Sequence, residues 1–129
     1  MKKKDSNLPW IIGFAIIIVG LGAWAYWNNI QPGKYDDFAK CLADSGAKMY
    51  GAWWCPHCSE QKKDFGNSWK VLEGEGGYVE CSTPERAQTQ ICIQAGIESY
   101  PTWRFADGSE QGGRIALEVL AQKSRCAMN

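Results

Sequence analysis

Two cysteines separated by two residues, at the junction of an apolar segment and a helical one, constrain the fold of this 129-residue chain most strongly. The segment 47–54 is typical of a buried strand, and Pro56 suits the first turn of a helix because its ring fixes φ. The sequence after Cys58 places three apolar residues on one helical face: Phe65, Trp69 and Leu72. The pattern therefore predicts a strand that leads directly into a helix, with the cysteine pair at the start of that helix.

This position favours redox chemistry at the cysteine pair. The Cys55 thiol lies beside unpaired N–H groups at the positive end of the helix dipole, where a thiolate is stabilised. Cys58 lies one turn further along the same side, where it can attack a mixed disulfide on Cys55 and release the product. We therefore predict catalytic roles for Cys55 as the attacking and Cys58 as the resolving cysteine. Pro56 and His57, the only histidine in the chain, are expected to modulate them.

A Cys-x-x-Cys pair also occurs in metal sites. A zinc site would need two further ligands with matching spacing, and the other four cysteines are single and dispersed. We therefore predict neither a metal nor a cofactor at the site. A non-catalytic metallochaperone that holds copper or zinc through Cys55, Cys58 and His57 remains an alternative from a different functional class.

The first 30 residues differ sharply in composition from the rest. Residues 8–27 carry no charge and as a helix span about 30 Å, the thickness of one bilayer core. Aromatic residues stand at both ends of this segment, and Lys2, Lys3 and Lys4 precede it, which predicts a cytoplasmic N-terminus. A cleaved signal peptide is the alternative, because Ala23-Trp-Ala25 resembles a cleavage site. The length of the apolar segment and its bulky aromatics favour an uncleaved anchor.

The composition then predicts four parts: a basic cytoplasmic N-terminus (1–7), a single-pass transmembrane anchor (8–27), a linker (28–33) and one folded domain (34–129). Six cysteines in so small a chain favour an oxidising compartment. We therefore expect the folded domain outside the cytoplasm, in a periplasm or lumen. The domain has no basic stripe, which argues against nucleic acid as a partner.

The folded part alternates between helical and extended patterns. The predicted order is a helix (35–45), the strand and cysteine-bearing helix with a kink at Gly66-Asn67, a strand (78–81), a helix beginning at Pro84 (to about 95), the turn Tyr100-Pro101-Thr102, a hairpin (103–106 and 110–112) and a final helix (114–123). This order is αβαβαββα, an α/β fold. Lys62 and Lys63 are expected on a solvated helix face.

Three motifs occur in this order: Met49-Tyr-Gly-Ala-Trp-Trp-Cys-Pro-His-Cys58, Tyr78-Val-Glu-Cys81 and Ala95-Gly-Ile-Glu-Ser-Tyr-Pro-Thr-Trp103. Together with the order of elements they resemble the thioredoxin family, and in particular the thioredoxin-like domain fused to bacterial vitamin K epoxide reductase homologues. The resemblance covers residues 36–122, most of the folded part. It implies a thioredoxin-like fold, which here follows the N-terminal transmembrane helix predicted above from the apolar segment.

The resemblance also implies roles for a loop and for four cysteines. Pro101 would be a cis proline beside the active-site sulfurs, with Tyr100 and Thr102 contacting substrate. Independently of the resemblance, Trp53 and Trp54 stand next to Cys55 in the sequence, where we expect them to form an apolar platform for substrate. The fused relatives have a structural disulfide that matches Cys81 and Cys92, which would leave Cys41 to pair with Cys126. From the residues alone, four cysteines allow three pairings, and buried free thiols remain an alternative.

The chain departs from the family at two points. Met49 stands where many thioredoxins have a buried acidic residue, which leaves open what deprotonates Cys58. The quinone-reducing helical bundle of the fused homologues is also missing, so a vitamin K epoxide reductase-like or DsbB-like membrane partner would have to act in trans. The expected function is a thiol-disulfide oxidoreductase that oxidises dithiols of extracytoplasmic proteins. A membrane-tethered disulfide reductase is the alternative.

Overall fold

The structure, a computed structural model, describes residues 7–128. The three lysines on which the predicted cytoplasmic N-terminus depends lie outside these residues. Contacts divide the chain into two compact units, one ending at Gln31 and one beginning at Pro32.

The first unit contains one helix, α1 (Leu8–Ile30), in which no residue is buried. It extends past the predicted end of the apolar segment at Trp27 and into the stretch 28–33, which was predicted as a linker. The helix is long and apolar enough to cross a membrane, a test that a signal sequence also passes.

The second unit is built on a four-stranded sheet. The strands are β1 (Lys48–Gly51), β2 (Tyr78–Glu80), β3 (Thr102–Arg104) and β4 (Glu110–Gly112), arranged in the order β2-β1-β3-β4. β1 and β2 are parallel, whereas β3 pairs antiparallel with both β1 and β4. The predicted hairpin is therefore present, and β1, the strand that leads to the cysteine pair, is one of the two inner strands of the sheet.

The helices of this unit complete the predicted order. They are α2 (Asp36–Asp44), α3 (Pro56–Phe65), α4 (Trp69–Gly74), α5 (Gln90–Gln94) and α6 (Leu117–Ser124). A 3₁₀ turn, Gly66–Ser68, separates α3 from α4, and Gly66 has a φ of +57°. The kink predicted at this point is thus present, since glycine adopts this backbone conformation at little cost. The α/β prediction is confirmed, and the fold is thioredoxin-like.

The prediction of a helix that begins at Pro84 is wrong for its first half, because α5 begins only at Gln90. The Thr83 hydroxyl accepts a hydrogen bond from Ala87 N at 3.2 Å, and Thr83 N donates to Ala87 O at 2.8 Å. These bonds close a tight turn in which Arg86 has a φ of +66°. The Thr83 hydroxyl therefore stabilises a turn at the place where a helix was predicted to begin, because threonine side chains can bond nearby backbone groups in either structure.

The core lies between the sheet and the helices on its two sides. Its largest fully buried side chains include Trp103, Phe38, Phe65, Leu42, Met49, Leu72 and Leu120. The Phe65 ring stacks on Phe38 at 6.0 Å and on Trp103 at 6.3 Å between ring centroids. Since Phe65 ends α3, this packing fixes the cysteine-bearing helix against the sheet.

Candidate active site

Cys55 and Cys58 are both free thiols at the start of α3. Cys55 is the N-cap residue, and its sulfur accepts a hydrogen bond from Cys58 N at 3.3 Å. Pro56 occupies the first helical position, as predicted, where its missing N–H removes no intrahelical bond. The sequence therefore places the Cys55 sulfur at the end of the helix where backbone N–H groups and the dipole favour negative charge.

The two thiols differ in exposure. Cys55 is 5% exposed, and its thiol lies 3.6 Å from the carbonyl oxygen of Tyr100. Cys58 is fully buried, and this burial, with the hydrogen bond to Cys55, raises the pKa of the Cys58 thiol well above its usual range. Cys55 is thus the sulfur that an incoming group can reach, and Cys58 lies behind it as a neutral thiol at neutral pH.

The loop predicted to contact substrate faces Cys55. The Tyr100–Pro101 peptide bond is cis, and Pro101 is fully buried. The Thr102 hydroxyl donates to Ser99 O at 2.8 Å, so this side chain holds the loop together and is 6% exposed. The structure therefore brings the Tyr100 carbonyl to Cys55, and it turns the Thr102 side chain into the loop.

Trp54 lies beside this loop. Its ring meets Tyr100 edge-on at 6.1 Å between centroids, and its indole N–H donates to Ser82 Oγ at 2.8 Å. Trp54 and Tyr100 also line a groove of about 380 Å³ together with Arg86 and Glu98. Two aromatic rings and a groove therefore lie next to the loop whose Tyr100 carbonyl faces the Cys55 sulfur.

The His57 side chain lies on the exposed surface of α3, next to Glu60. Its Nδ1 lies 3.3 Å from Glu60 Oε2, and both side chains are at least half exposed. Within residues 7–128, no three His, Cys, Asp or Glu side chains come together as a metal site would require. The structure therefore supplies no third ligand for a metal on Cys55 and Cys58 in the part of the chain that it describes.

The other four cysteines form two disulfides. Cys81 is bonded to Cys92, 11 residues apart, and Cys41 to Cys126, 85 residues apart. These are the pairings that the resemblance implied. Cys81 and Cys92 are fully buried, so this disulfide is protected from solvent thiols.

The environment of Cys58 contains residues that the sequence interpretation did not connect with it. The Tyr78 hydroxyl donates to Glu80 Oε2 at 2.7 Å, and Glu80 Oε1 accepts from Trp53 N at 3.1 Å and Ser82 N at 3.0 Å. Glu80 thus ties β2 to the segment that leads into Cys55. No local pattern around Glu80 indicates this role, because its partners lie up to 27 residues away.

A second missed residue is Gln61, which is fully buried. Its Nε2 donates to Ile115 O at 3.0 Å, and its Oε1 accepts from Ile115 N at 2.7 Å and from Trp103 Nε1 at 3.3 Å. The amide therefore satisfies both backbone groups of Ile115. This explains why α6 begins at Leu117 and not at the predicted Arg114.

Gly51 provides the space for the Cys58 sulfur. A methyl group at this position would lie 3.1 Å from Cys58 Sγ and 3.0 Å from Cε2 of Tyr78. We expect Gly51→Ala to lower the free energy of unfolding by about 1–3 kcal/mol, because a closely packed core must shift to admit the methyl group. The matched control is Gly74→Ala, where a methyl group would meet nothing within 4 Å. Urea unfolding of the two variants measures the difference, and equal stabilities would contradict this packing.

The fold and the paired free thiols define a thioredoxin-like domain with a candidate disulfide-exchange site. No family model matches the chain. It is similar to the thiol-disulfide oxidoreductase LTO1 of Arabidopsis thaliana, with 44% identity over 88 residues that cover 65% of this chain. The chain spans only 22% of the length of that protein. The similarity therefore supports a thiol-disulfide exchange function and concerns a part of a much longer relative.

Proposed function

We propose that this chain is a thiol-disulfide oxidoreductase that acts through Cys55 and Cys58. The observation that carries the proposal is the pair of free thiols at the start of α3, with Cys55 reachable beside the Tyr100 carbonyl and Cys58 buried behind it. The name of the Arabidopsis protein supports the same class of reaction.

The proposal gives different steps to the two sulfurs, and their difference in exposure supports it. In the oxidising direction, a substrate thiolate attacks Cys55 of the Cys55–Cys58 disulfide, and Cys58 leaves as a thiolate. A second substrate thiolate then attacks the substrate sulfur of the mixed disulfide. The substrate leaves with a disulfide, and Cys55 is released as a thiolate that the helix terminus stabilises. Two electrons pass from the substrate to the cysteine pair.

We propose the oxidising direction, with dithiols of extracytoplasmic proteins as substrates. The support is the placement of the Cys55 sulfur at a helix N-terminus, which stabilises the reduced form and makes the disulfide a stronger oxidant. Two further disulfides in the same unit fit an oxidising compartment. A disulfide reductase would use the same steps in reverse.

The proposal includes a membrane and a partner. α1 would anchor the chain by a single pass, with the N-terminus in the cytoplasm and the thioredoxin-like unit outside it. Each oxidation leaves Cys55 and Cys58 reduced, so a membrane quinone-coupled protein of the vitamin K epoxide reductase-like or DsbB-like kind would have to reoxidise them. For the metallochaperone alternative, no observation in the described residues supplies the third ligand.

The reduction potential of the cysteine pair tests the proposed direction. The full chain in detergent is equilibrated with glutathione buffers, and the oxidised fraction is read from alkylation. A potential near that of DsbA, about −120 mV, is expected for a dithiol oxidase, whereas one near thioredoxin, about −270 mV, would indicate a reductase. A Cys55→Ser variant is the control, because it must remain unable to form this disulfide.

A further inference from the structure

Lys62 has an environment different from the solvated helix face that the sequence suggested. It lies four residues after Cys58 on α3, and its Nζ lies 3.9 Å from the ring centroid of Tyr78 and 5.2 Å from that of Trp69. The two rings meet edge-on with their centroids 5.3 Å apart, so the ammonium makes cation–π contacts with both of them. The neighbouring Lys63 is exposed.

The same Tyr78 ring adjoins the Cys58 sulfur. Cε2 of Tyr78 and Sγ of Cys58 both lie within 3.1 Å of the position that a Gly51 methyl group would take. Cε of Met49 lies 3.3 Å from the same position and contributes no charge. The charged group that packs over the Tyr78 ring is therefore the ammonium of Lys62.

The resolving step requires a Cys58 thiolate, which burial disfavours. The titratable groups that act on Cys58 or on the adjoining Tyr78 come from three parts of the fold. They are Cys55 at the N-cap of α3 and Lys62 within that helix, Glu80 of β2 beside Tyr78 itself, and Glu73 of α4. Burial and the hydrogen bond to Glu80 raise the pKa of Tyr78, so the phenol stays neutral. The positive charge of Lys62 acts in the opposite direction to burial and lowers the pKa of Cys58.

We propose that Lys62 is a positioning residue for disulfide exchange, held by Tyr78 and Trp69 where its ammonium stabilises the Cys58 thiolate. The inference rests on the function proposed above. During resolution, the Cys58 thiolate attacks Cys55 of a mixed disulfide, and the bond between Cys55 and the substrate sulfur breaks. The substrate leaves as a thiolate that takes a proton from water, and the proton of Cys58 has passed to solvent. In the oxidising direction, Cys58 is the leaving thiolate and receives the same stabilisation.

The experiment uses the reduced full chain in detergent with glutathione disulfide as the probe. Samples quenched with acid are analysed by mass, which separates the formation of the Cys55–glutathione mixed disulfide from its resolution by Cys58. Lys62→Met keeps the aliphatic stem over the two rings and removes the charge. Lys62→Arg keeps the charge, and Lys63→Met is the matched control on the same helix.

We expect Lys62→Met to slow resolution about threefold for each unit by which the Cys58 pKa rises. The thiolate fraction falls tenfold per unit, while the intrinsic nucleophilicity rises by about half that exponent. The logarithm of the rate should rise with pH across the neutral range in both proteins, with the Lys62→Met line displaced downwards in parallel. Lys62→Arg and Lys63→Met should match the parent protein.

Two results would overturn the inference. Resolution by Lys62→Met at the parental rate would show that the charge does not matter, and equal slowing in Lys62→Arg would show a packing effect. Mixed-disulfide formation is measured in the same samples. If the parent protein forms neither a mixed disulfide nor a Cys55–Cys58 disulfide, the proposed function itself fails, and the inference fails with it.

Discussion

Replacing Cys58 with serine is expected to leave a long-lived mixed disulfide on Cys55 after reaction with glutathione disulfide or a disulfide-bonded peptide. Cys55 can still attack, because its sulfur is the reachable one and its position at the N-terminus of α3 is unchanged. Resolution requires a second sulfur one turn along the helix, and a serine hydroxyl cannot supply it. We expect turnover to fall to background, while the mixed disulfide accumulates to one per chain by mass.

The matched variant is Cys55→Ser, which should lose turnover without accumulating any adduct. The buried Cys58 alone would be a poor nucleophile, since burial raises its pKa. If Cys55→Ser accumulated the adduct and Cys58→Ser did not, the roles of the two sulfurs would be reversed. Equal turnover in all three proteins would place the chemistry elsewhere.

Removing the Cys41–Cys126 disulfide is expected to produce the largest loss of stability. The bond closes a loop with a sequence separation of 85 residues and joins α2 to the segment after α6. On the chain-entropy model, such a crosslink contributes about 4.5 kcal/mol, against about 3 kcal/mol for the loop of 11 residues closed by Cys81 and Cys92. A loss of this size is a large part of the free energy of unfolding of a small domain.

Urea unfolding of the double variant Cys41→Ala/Cys126→Ala measures this effect, with Cys81→Ala/Cys92→Ala as the comparison. The first variant should unfold at the lower urea concentration. Both should keep the Cys55–Cys58 reaction under conditions in which they are folded, because the two disulfides lie outside the exchanging pair. An unchanged midpoint for the first variant would contradict a stabilising role for this crosslink.

The sequence was sufficient for the order of elements and for the cysteine pair because both depend on local patterns. The apolar periodicity after Cys58 and the proline at position 56 define the start and face of α3 without reference to the rest of the chain. The kink at Gly66 likewise follows from a residue that tolerates a positive φ. Local patterns thus predicted the fold class and the position of the free thiols.

The parts that the sequence did not predict depend on contacts between distant residues. Gln61 donates a hydrogen bond to a backbone carbonyl 54 residues away, just before the first residue of α6. Glu80 accepts a hydrogen bond from a backbone N–H 27 residues away. The cation–π contacts of Lys62 are with Trp69 and Tyr78, which belong to two other elements. The sequence of an amphipathic helix does not show which aromatic rings from other elements will cover a lysine, so Lys62 was expected to be solvated.

A glutathione titration of the full chain, followed by alkylation and peptide mass mapping, shows whether Cys55 and Cys58 exchange reversibly between dithiol and disulfide. We expect Cys55 and Cys58 to change state across the titration while Cys41–Cys126 and Cys81–Cys92 stay bonded. If Cys55 and Cys58 remained unbonded to each other at every ratio, or if a different pair exchanged, these two residues would not be the redox pair of this protein.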